Sequence, residues 1–546
     1  MYRNIKYKAL ILVFLLIGVS CSDNLDLSPL DSFSNDTFWS SESNALMALT
    51  GVYRGNIAHG TSAAPTDWWS YSGWIFLDMA TDNAYDRRGD NAPFTRLSNG
   101  TMNANNVNLL QQYWTRSYQR IARSNFFIEN VSQTPMAEDK IRRMTAEARF
   151  IRAAQYYYMS MSYGSVPLVT NTLTLDEANN VTKTPKSEIV QFVIDEFSSI
   201  VADLPLASEM PAAEFGRASK QTVLAFLGRA QLADGRFGEA ANSFKAIIDY
   251  GEHSIDPDYK SLFNGSNEAS NELIFSAVFI ADLAQHGILQ HCFPAVKGGW
   301  HIVNPLGDLV ESYEFIDGTP FDYSDPRWDP TDLFKDRDPR LFYNVLFDQS
   351  DFGGAKYVTH PDSANSIDRV TTNRQATRSG FGIRKFMIED FSGDLMNSGV
   401  DLPIIRYAEI LLSYLEARLE NGDPIDQSLL DQTINQVRGR ASVNMPPITE
   451  TDPGTLRAIL RRERRNEFAF EGMRYWDLLR WGTAAEELSG SFYGASFPDA
   501  VNLRIDGANV DPNSRWFVTK KSFRAGVDDR WPIPQSEVNI NPQLAD

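Results

Sequence analysis

The chain has 546 residues, of which 43% are hydrophobic and 12% aromatic, and its formal net charge at pH 7 is −19. This composition is sufficient for a large hydrophobic core and favours one large domain or two to three modest ones. So negative a chain repels phosphate backbones and anionic lipid surfaces, which disfavours nucleic-acid binding.

The first twenty residues have the pattern of a secretory signal peptide. Basic residues precede an apolar run at residues 9–19, which is too short to span a bilayer comfortably, and Cys21 follows. We predict that residues 1–20 are a signal peptide and that Cys21 is lipidated, as in bacterial lipoproteins; the alternative is a buried or unpaired thiol near the terminus. Residues 21–36 are polar and acidic and predict a tether, and residues 37–546 are expected to form a single domain.

A cluster of aromatic residues follows early in that domain. Residues 66–74 (TDWWSYSGW) contain three tryptophans and one tyrosine. Trp68, Tyr71 and Trp74 are three apart and are expected to share one face of a helix, with Trp69 to one side. Core packing is the more frequent fate of any single tryptophan. We expect Trp68 and Tyr71 to serve the core and Trp74 to contact solvent.

Helical periodicity dominates much of the chain. Apolar residues recur every three or four positions in residues 138–158, 408–419 and 456–479, which predicts helices. Residues 223–247 (VLAFLGRAQLADGRFGEAANSFKAI) also match a tetratricopeptide helix pair, in which small residues let two helices approach and aromatic residues fill the groove. The matching positions are Gly228, Gly235, Phe237, Ala240 and Phe244. Because such pairs bury their faces only by stacking, further and more divergent pairs are expected.

Between about residues 256 and 400 the periodicity fades and glycine, proline, aspartate and asparagine accumulate. This composition predicts a loop-rich region with short helices and a few strands. Residues 317–332 (DGTPFDYSDPRWDPTD) are rich in aspartate, so a calcium site is one interpretation. The segment lacks the ligand order and the glycine of an EF-hand, and a turn-rich solvated loop is favoured.

Residues 460–482 (LRRERRNEFAFEGMRYWDLLRWG) are dense in arginine. Acidic residues interleave with the arginines, which argues against nucleic-acid binding. Oppositely charged residues recur three positions apart and are expected to pair on one helix face. These expected pairs are Arg464–Glu467, Glu471–Arg474 and Asp477–Arg480. With its aromatic and leucine residues, the run is predicted to be structural scaffold.

No catalytic motif is present. The chain contains no G-x-S-x-G, no H-E-x-x-H and no G-x-x-x-x-G-K sequence. His286, His291 and Cys292 are the closest set of metal-ligand residue types, but their spacing fits no standard zinc pattern. A glycosidase carboxylate pair stays open, because no two of the many carboxylates stand out. The sequence indicates no cofactor and no metal.

Two further tryptophans lie in the loop-rich region. Trp300 and Trp328 fall outside clear amphipathic helices, and a soluble protein seldom leaves such side chains in water without a role. Sugar rings present a flat face of C–H bonds that packs on indole, while neighbouring Asp, Asn and Arg side chains bond the hydroxyl groups. Together with the net negative charge of the chain, these tryptophans favour binding of a neutral oligosaccharide.

Several segments of the chain resemble the SusD/RagB family of outer-membrane, nutrient-capturing lipoproteins. They occur in the family's order over nearly the whole mature chain, and they are residues 35–55, 114–130, 147–169, 460–482 and 531–544. The resemblance implies a mainly α-helical, SusD-like fold in which tetratricopeptide-like helix pairs form a scaffold and loops build the ligand surface. It also implies a non-enzymatic protein, anchored through Cys21 and exposed on the cell surface. Such a protein captures an oligosaccharide and delivers it to a SusC-like TonB-dependent transporter.

The resemblance also points to ligand contacts. In similar proteins these come from the segment around and after a "TDN"-like turn, and from the loop that here reads KGGWHIVNP. The positions carried onto this chain are Asp82, Asn83, Tyr85, Arg87 and Trp300, with Trp74 nearby. Trp328 is added on composition alone. Two other functions stay open: peptide capture, as in RagB-like proteins, and glycoside hydrolysis.

Overall fold

The computed structural model describes residues 38–55, 67–105, 108–371 and 375–545. The predicted signal peptide, Cys21 and the tether at residues 21–36 lie outside the described residues. Within the described ranges, no helix combines the length and the apolar composition that a bilayer crossing requires.

Helices form most of the regular structure. In chain order the α-helices are α1 Glu42–Arg54, α2 Tyr71–Trp74, α3 Pro93–Arg96, α4 Asn108–Asn130, α5 Glu138–Ser162, α6 Leu175–Ala178, α7 Lys186–Ile200, α8 Lys220–Ala233, α9 Phe237–Tyr250, α10 Ile288–Cys292, α11 Gly307–Ser312, α12 Pro339–Asn344, α13 Tyr407–Glu420, α14 Gln427–Gln432, α15 Ile434–Arg438, α16 Pro453–Glu467, α17 Met473–Trp481, α18 Ala484–Glu487 and α19 Gln535–Ile540. Short 3₁₀ helices cover Ile75–Ala80, Val131–Gln133, Val201–Asp203, Ala207–Glu209, Ala212–Glu214, Lys260–Leu262, Ala295–Lys297 and Pro542–Leu544.

The strands are short and pair two by two. They are β1 Ala84–Asp86, β2 Leu273–Ala277, β3 Val303–Pro305, β4 Val345–Leu346, β5 Ser350–Phe352, β6 Ala355–Tyr357, β7 Gly382–Ile383, β8 Leu402–Arg406, β9 Gly490–Ser496 and β10 Arg515–Lys521. The antiparallel pairs are β1–β3, β2–β8, β4–β7, β5–β6 and β9–β10. Between residues 256 and 400 the short strands alternate with loops and with helices of three to six residues.

The tetratricopeptide-like unit is the pair α8 and α9. A Cβ atom built on Gly228 would lie 2.5 Å from the ring of Phe244, so only glycine permits this approach of the two helices. Gly235 lies between the helices with φ +75°, a conformation that favours glycine. The packing continues from helix to helix through α4, α5, α7, α8, α9 and α13. The expected stack of helix pairs is therefore present.

The periodicity of residues 456–479 predicts one helix, and this expectation is wrong. The chain forms α16 and α17 instead, and Phe470 (φ 63°) and Gly472 (φ 66°) lie between them in the left-handed region. Left-handed residues interrupt a right-handed helix, so the apolar pattern continues across a break in the backbone. Periodicity reports which residues are buried and does not detect such a break.

The arginine-dense run is scaffold, as predicted, but only one of the three expected pairs forms. Asp477 and Arg480 pair at 2.8 Å. Arg464 pairs with Asp477 at 3.1 Å rather than with Glu467. Glu471 accepts hydrogen bonds from Lys385 and Arg406, both at 2.7 Å, and not from Arg474. The break between α16 and α17 turns Glu471 toward residues that are distant in sequence.

The early aromatic cluster belongs entirely to the core. Trp68, Trp69 and Trp74 are 1%, 3% and 3% exposed. Trp68 stacks between Tyr113 and Tyr158, with ring centroids 4.1 and 5.0 Å away. The helix predicted for this segment is limited to α2, one turn long, and Trp69 is buried although it precedes α2.

Candidate functional site

Strands β1 and β3 bring together the two segments to which the resemblance points. Tyr85 pairs with Asn304 in an antiparallel register, and Asp86 pairs with Val303. The pairing continues past the strand end, because the Arg87 N–H donates to the Ile302 carbonyl at 2.9 Å. The KGGWHIVNP loop and the segment after Asp82 are therefore neighbours in the fold.

Trp300 lies at the end of this pairing and is partly buried. Its ring meets the His291 ring edge to face, with centroids 4.8 Å apart. The two glycines before Trp300 shape the loop: Gly298 has φ +83°, and a Cβ atom on Gly299 would lie 2.2 Å from the Phe293 carbonyl oxygen. The backbone of these two glycines thus fixes the position of the indole.

Three arginines lie on the segments that pair with the Trp300 loop or are hydrogen-bonded to them. Arg88 is 44% exposed and forms an ion pair with Asp86 at 2.7 Å. The Arg378 Nε donates to the Arg87 carbonyl at 2.8 Å, which ties a third segment of chain to this position. Burial lowers the pKa of Arg87, and the positive charge of Arg378 adds to that effect. We call Trp300, Arg87, Arg88 and Arg378 the Trp300 surface. Sequence reasoning missed Arg378 because no motif marks it.

Asp82 and Asn83 are predicted ligand contacts, but both lie in the interior. Asp82 is 1% exposed and is held by Arg465 and Arg474, each at 2.8 Å. Burial alone would raise the pKa of Asp82, but these two guanidinium groups outweigh it and hold the pKa well below its usual range. Asn83 is 0% exposed, accepts a hydrogen bond from Arg465 and donates one to Asp78. The expected surface position is wrong for both residues, which instead anchor the segment.

Tyr85 also turns inward. It is 4% exposed, and its hydroxyl group donates to Asp90 at 2.7 Å. Burial raises the pKa of Tyr85, and the negative charge of Asp90 raises it further. Of the residues predicted after the "TDN" turn, Arg87 is therefore the one that the structure places at the Trp300 surface.

The prediction that Trp74 contacts solvent is wrong. Its ring packs edge-on against Tyr158 at 6.5 Å and under the guanidinium of Arg229 at 5.7 Å. Gly472 approaches so closely that a Cβ atom there would lie 2.5 Å from the Trp74 carbonyl oxygen. The early cluster reaches the Trp300 surface through Tyr71 instead. The Tyr71 hydroxyl lies 3.0 Å from His291 Nδ1, and His291 supports the Trp300 ring.

Trp328 belongs to a different aromatic group. It is partly buried, and its ring packs edge to face on Phe321 and Tyr323, with centroids 5.4 and 5.2 Å away. The aspartates around it accept hydrogen bonds from the backbone two residues further on, as Asp322 does from Ser324 and Asp329 from Thr331. These are side-chain turns, which confirms the turn-rich interpretation of the aspartate-rich segment.

The histidines singled out in the sequence have structural partners. His286 is 6% exposed, its Nε2 lies 2.8 Å from the Val400 carbonyl, and burial lowers its pKa to about 4. Burial raises the pKa of the Cys292 thiol well above its usual range. Across the described residues, no group of three or more His, Cys, Asp or Glu side chains is arranged to hold a metal ion.

Family models match most of the chain. One, described as the SusD family, matches residues 271–546. Another, described as starch-binding associating with outer membrane, matches residues 62–232.

Individual relatives agree with the family models. A crystal structure of a SusD-like carbohydrate binding protein from Bacteroides fragilis is 46% identical, covers 93% of this chain and 100% of its own, and superposes with a TM-score of 0.90. A SusD-like protein of Formosa agariphila is 25% identical over 99% of this chain and 98% of its own. The starch-binding protein SusD of Bacteroides thetaiotaomicron is 22% identical over 99% of this chain and 97% of its own. The helix stack, the family match and the 46% identity to a relative that is covered over its whole length show that the chain belongs to the SusD family.

Proposed function

We propose that the protein binds oligosaccharides at the Trp300 surface and delivers them to a SusC-like TonB-dependent transporter. As a member of the SusD family it is a non-catalytic carbohydrate-binding protein rather than an enzyme. The proposal rests on a loop indole whose position is set by its own backbone, on a loop that pairs with the segment carrying Arg87 and Arg88.

Each part of the Trp300 surface suits a sugar ring. The indole face packs against the C–H face of a pyranose, and a rigid aromatic ring loses little conformational entropy on binding. Guanidinium groups donate several hydrogen bonds in fixed directions, which matches the hydroxyl oxygens around the ring. Because Arg378 also holds the Arg87 backbone, these donors are positioned before the ligand arrives.

Replacing Trp300 by alanine should lower the affinity for a bound oligosaccharide at least about ten-fold, because a buried aromatic anchor typically contributes 2 kcal/mol or more. Calorimetry against a panel of neutral oligosaccharides measures this loss. Phe126→Ala serves as the matched control, since Phe126 is an aromatic residue of α4 that is 38% exposed. Its affinity should equal that of the unaltered protein.

Four results would contradict the proposal. Unchanged affinity in Trp300→Ala would rule out the assigned site. No binding heat with any neutral or acidic glycan would rule out oligosaccharides as the ligand class. Peptides that co-purify with the protein would favour peptide capture instead. New reducing ends after incubation with glycans would indicate hydrolysis.

The proposed location is the outer membrane, with the chain exposed at the cell surface and anchored through lipid on Cys21. Support comes from the position of Cys21 directly after the apolar run and from the family description "starch-binding associating with outer membrane". Several acyl chains suffice for stable anchoring.

Cys21→Ser should move the protein from the membrane fraction to the soluble fraction, because serine cannot carry the thioether-linked lipid. Immunoblots of fractionated cells measure the shift, and Cys292→Ser, at the buried second cysteine, is the control. Cys21→Ser protein that stays in the outer membrane would contradict lipid anchoring. Co-purification of a transporter with the unaltered protein would test the partner in the same preparation.

A further inference from the structure

Helix α16 carries a stripe of arginines on one face. Arg457, Arg461 and Arg465 follow one another at intervals of four residues, and Arg462 precedes Arg465 by three, which places them side by side along the helix. Gly454 and Ala458 lie on the same face and leave room between the longer side chains. Together with Arg474 from α17, these arginines line a cavity of about 510 Å³. The cavity falls within the size range of small-molecule sites.

At one end of this cavity Arg465 and Arg474 meet two carboxylates, and one of them, Glu487, also lines the cavity. Arg465 and Arg474 share one carboxylate, that of Asp82, at 2.8 Å each. Glu487 is the next carboxylate, 3.6 Å from Arg474 and 43% exposed. The buried Asp308 and Lys521 also act on Asp82 and its partners, but their opposite charges offset each other.

Arg461 differs from the arginines of the neighbouring scaffold. In the described part of the chain it forms no ion pair within 4.0 Å, and its guanidinium lies over the Trp481 ring at 4.7 Å. By contrast, the buried Arg340 and Arg440 each contact at least two carboxylates. Burial lowers the pKa of Arg461, since partial desolvation disfavours the charged form, and the more distant charges of Glu416 and Glu420 oppose that effect without an ion pair.

The two other cavity arginines are held in place by acidic residues outside the cavity. Arg457 pairs with Glu420 at 2.6 Å, and Arg462 pairs with the buried Glu314. These pairs fix the side chains in direction and leave guanidinium N–H groups along the wall. A fork of fixed N–H donors matches the oxygen geometry of a carboxylate or a sulfate.

We propose that this arginine pocket binds a small multivalent anion that carries carboxylate or sulfate groups. An anion there pairs with Arg461 and with the guanidinium N–H groups along the wall, and the cavity volume admits a ligand of one to a few sugar rings. The net charge of −19 makes this local positive site an exception on the protein. The pocket shares no residue with the Trp300 surface, so the inference goes beyond the proposed function.

Calorimetric titration with sodium citrate and, separately, with sodium sulfate tests the pocket. Sodium chloride at matched ionic strength is the blank. The unaltered protein should bind at least one probe, and Arg461→Gln should weaken that binding by about ten-fold, the effect of losing one charge-assisted hydrogen bond. Arg461 has no structural ion pair, so the variant is expected to melt at the temperature of the unaltered protein.

Lys245→Gln is the charge-matched control, because Lys245 lies on α9 and pairs with Asp249 at the surface. It should keep the affinity within about two-fold. Binding of sulfate alone assigns sulfate groups to the ligand, and binding of citrate alone assigns carboxylates. No heat with either probe, or equal affinity in Arg461→Gln, overturns the proposal. Trp300→Ala should bind the anion normally, which separates this result from the test of the glycan site.

Discussion

Replacing Glu467 by alanine is expected to lower the free energy of unfolding by about 3–5 kcal/mol, the usual cost of removing one partner from a buried ion pair. The Glu467 side chain is fully buried and contacts Arg340, Arg406 and Arg440 at 3.0–3.1 Å. Its removal leaves three buried guanidinium groups with fewer counter-charges, because Arg440 keeps only Glu272 and Arg406 shares that carboxylate. The remaining carboxylates, such as Glu272 and Glu463, cannot move to replace it in a packed core.

Acid should reduce the difference in the free energy of unfolding between Glu467→Ala and the unaltered protein. Burial alone would raise the pKa of Glu467, but Arg440, Arg406 and Arg340 together lower it to about 2. Its contribution is therefore complete above the ordinary glutamate pKa of about 4.3 and is lost as the pH falls toward about 2. Urea unfolding at pH 7 and near pH 3 measures both values.

The control for this prediction is Glu486→Ala. Glu486 is exposed in the first turn of α18, and a surface substitution of this kind changes stability by no more than about 0.5 kcal/mol. Equal losses in the two variants, or a Glu467→Ala loss that does not shrink in acid, would contradict the role of the buried network.

Replacing Gly73 by alanine should destabilise the fold by about 3 kcal/mol, at the upper end of the cost of overpacking a core. A Cβ atom at this position would lie 1.8 Å from the Asp67 carbonyl oxygen. The backbone cannot move aside easily, because the Gly73 N–H donates to the Ser70 hydroxyl at 3.1 Å and the Tyr113 hydroxyl donates to the Gly73 carbonyl at 2.7 Å. Thermal or urea unfolding measures the loss.

Gly51→Ala is the matched control, and its expected effect on stability has the opposite sign. Gly51 lies inside α1, and no heavy atom stands within 4 Å of a Cβ atom built there. Alanine in a helix interior is favoured over glycine by about 0.5–1 kcal/mol, so this variant should be slightly more stable than the unaltered protein. A loss of similar size in both variants would show that crowding around Gly73 is not the cause.

The position of Gly73 also bears on the proposed function. The segment from Gly73 to Arg87 leads from the core to the Trp300 surface, and Asp82 anchors it to Arg465 and Arg474. The same two arginines line the proposed anion pocket. Asp82, which was predicted to contact the ligand, thus holds the segment that leads to the Trp300 surface from the interior of the protein.

Local sequence was sufficient for the helix pair and for where helices occur, but it did not reveal the break between α16 and α17. The small and aromatic positions from Gly228 to Phe244 lie within one hairpin, and their contact follows from spacing along two adjacent helices. The loop-rich character of residues 256–400 was also readable, because glycine, proline and aspartate act on the backbone within a few residues. Five short segments in a fixed order were enough to identify the family.

Exposure and pairing required the tertiary structure. Trp74 and Trp300 both follow small residues, yet Gly472 and Arg229 enclose the first, while the second stays partly exposed beside His291. The partners of Glu471 lie 65 and 86 residues away in the chain. The sequence by itself determined the elements and the family, since these depend on neighbours along the chain. Which aromatic rings meet water and which arginines keep free N–H groups depends on distant segments, and only the folded chain brings those together.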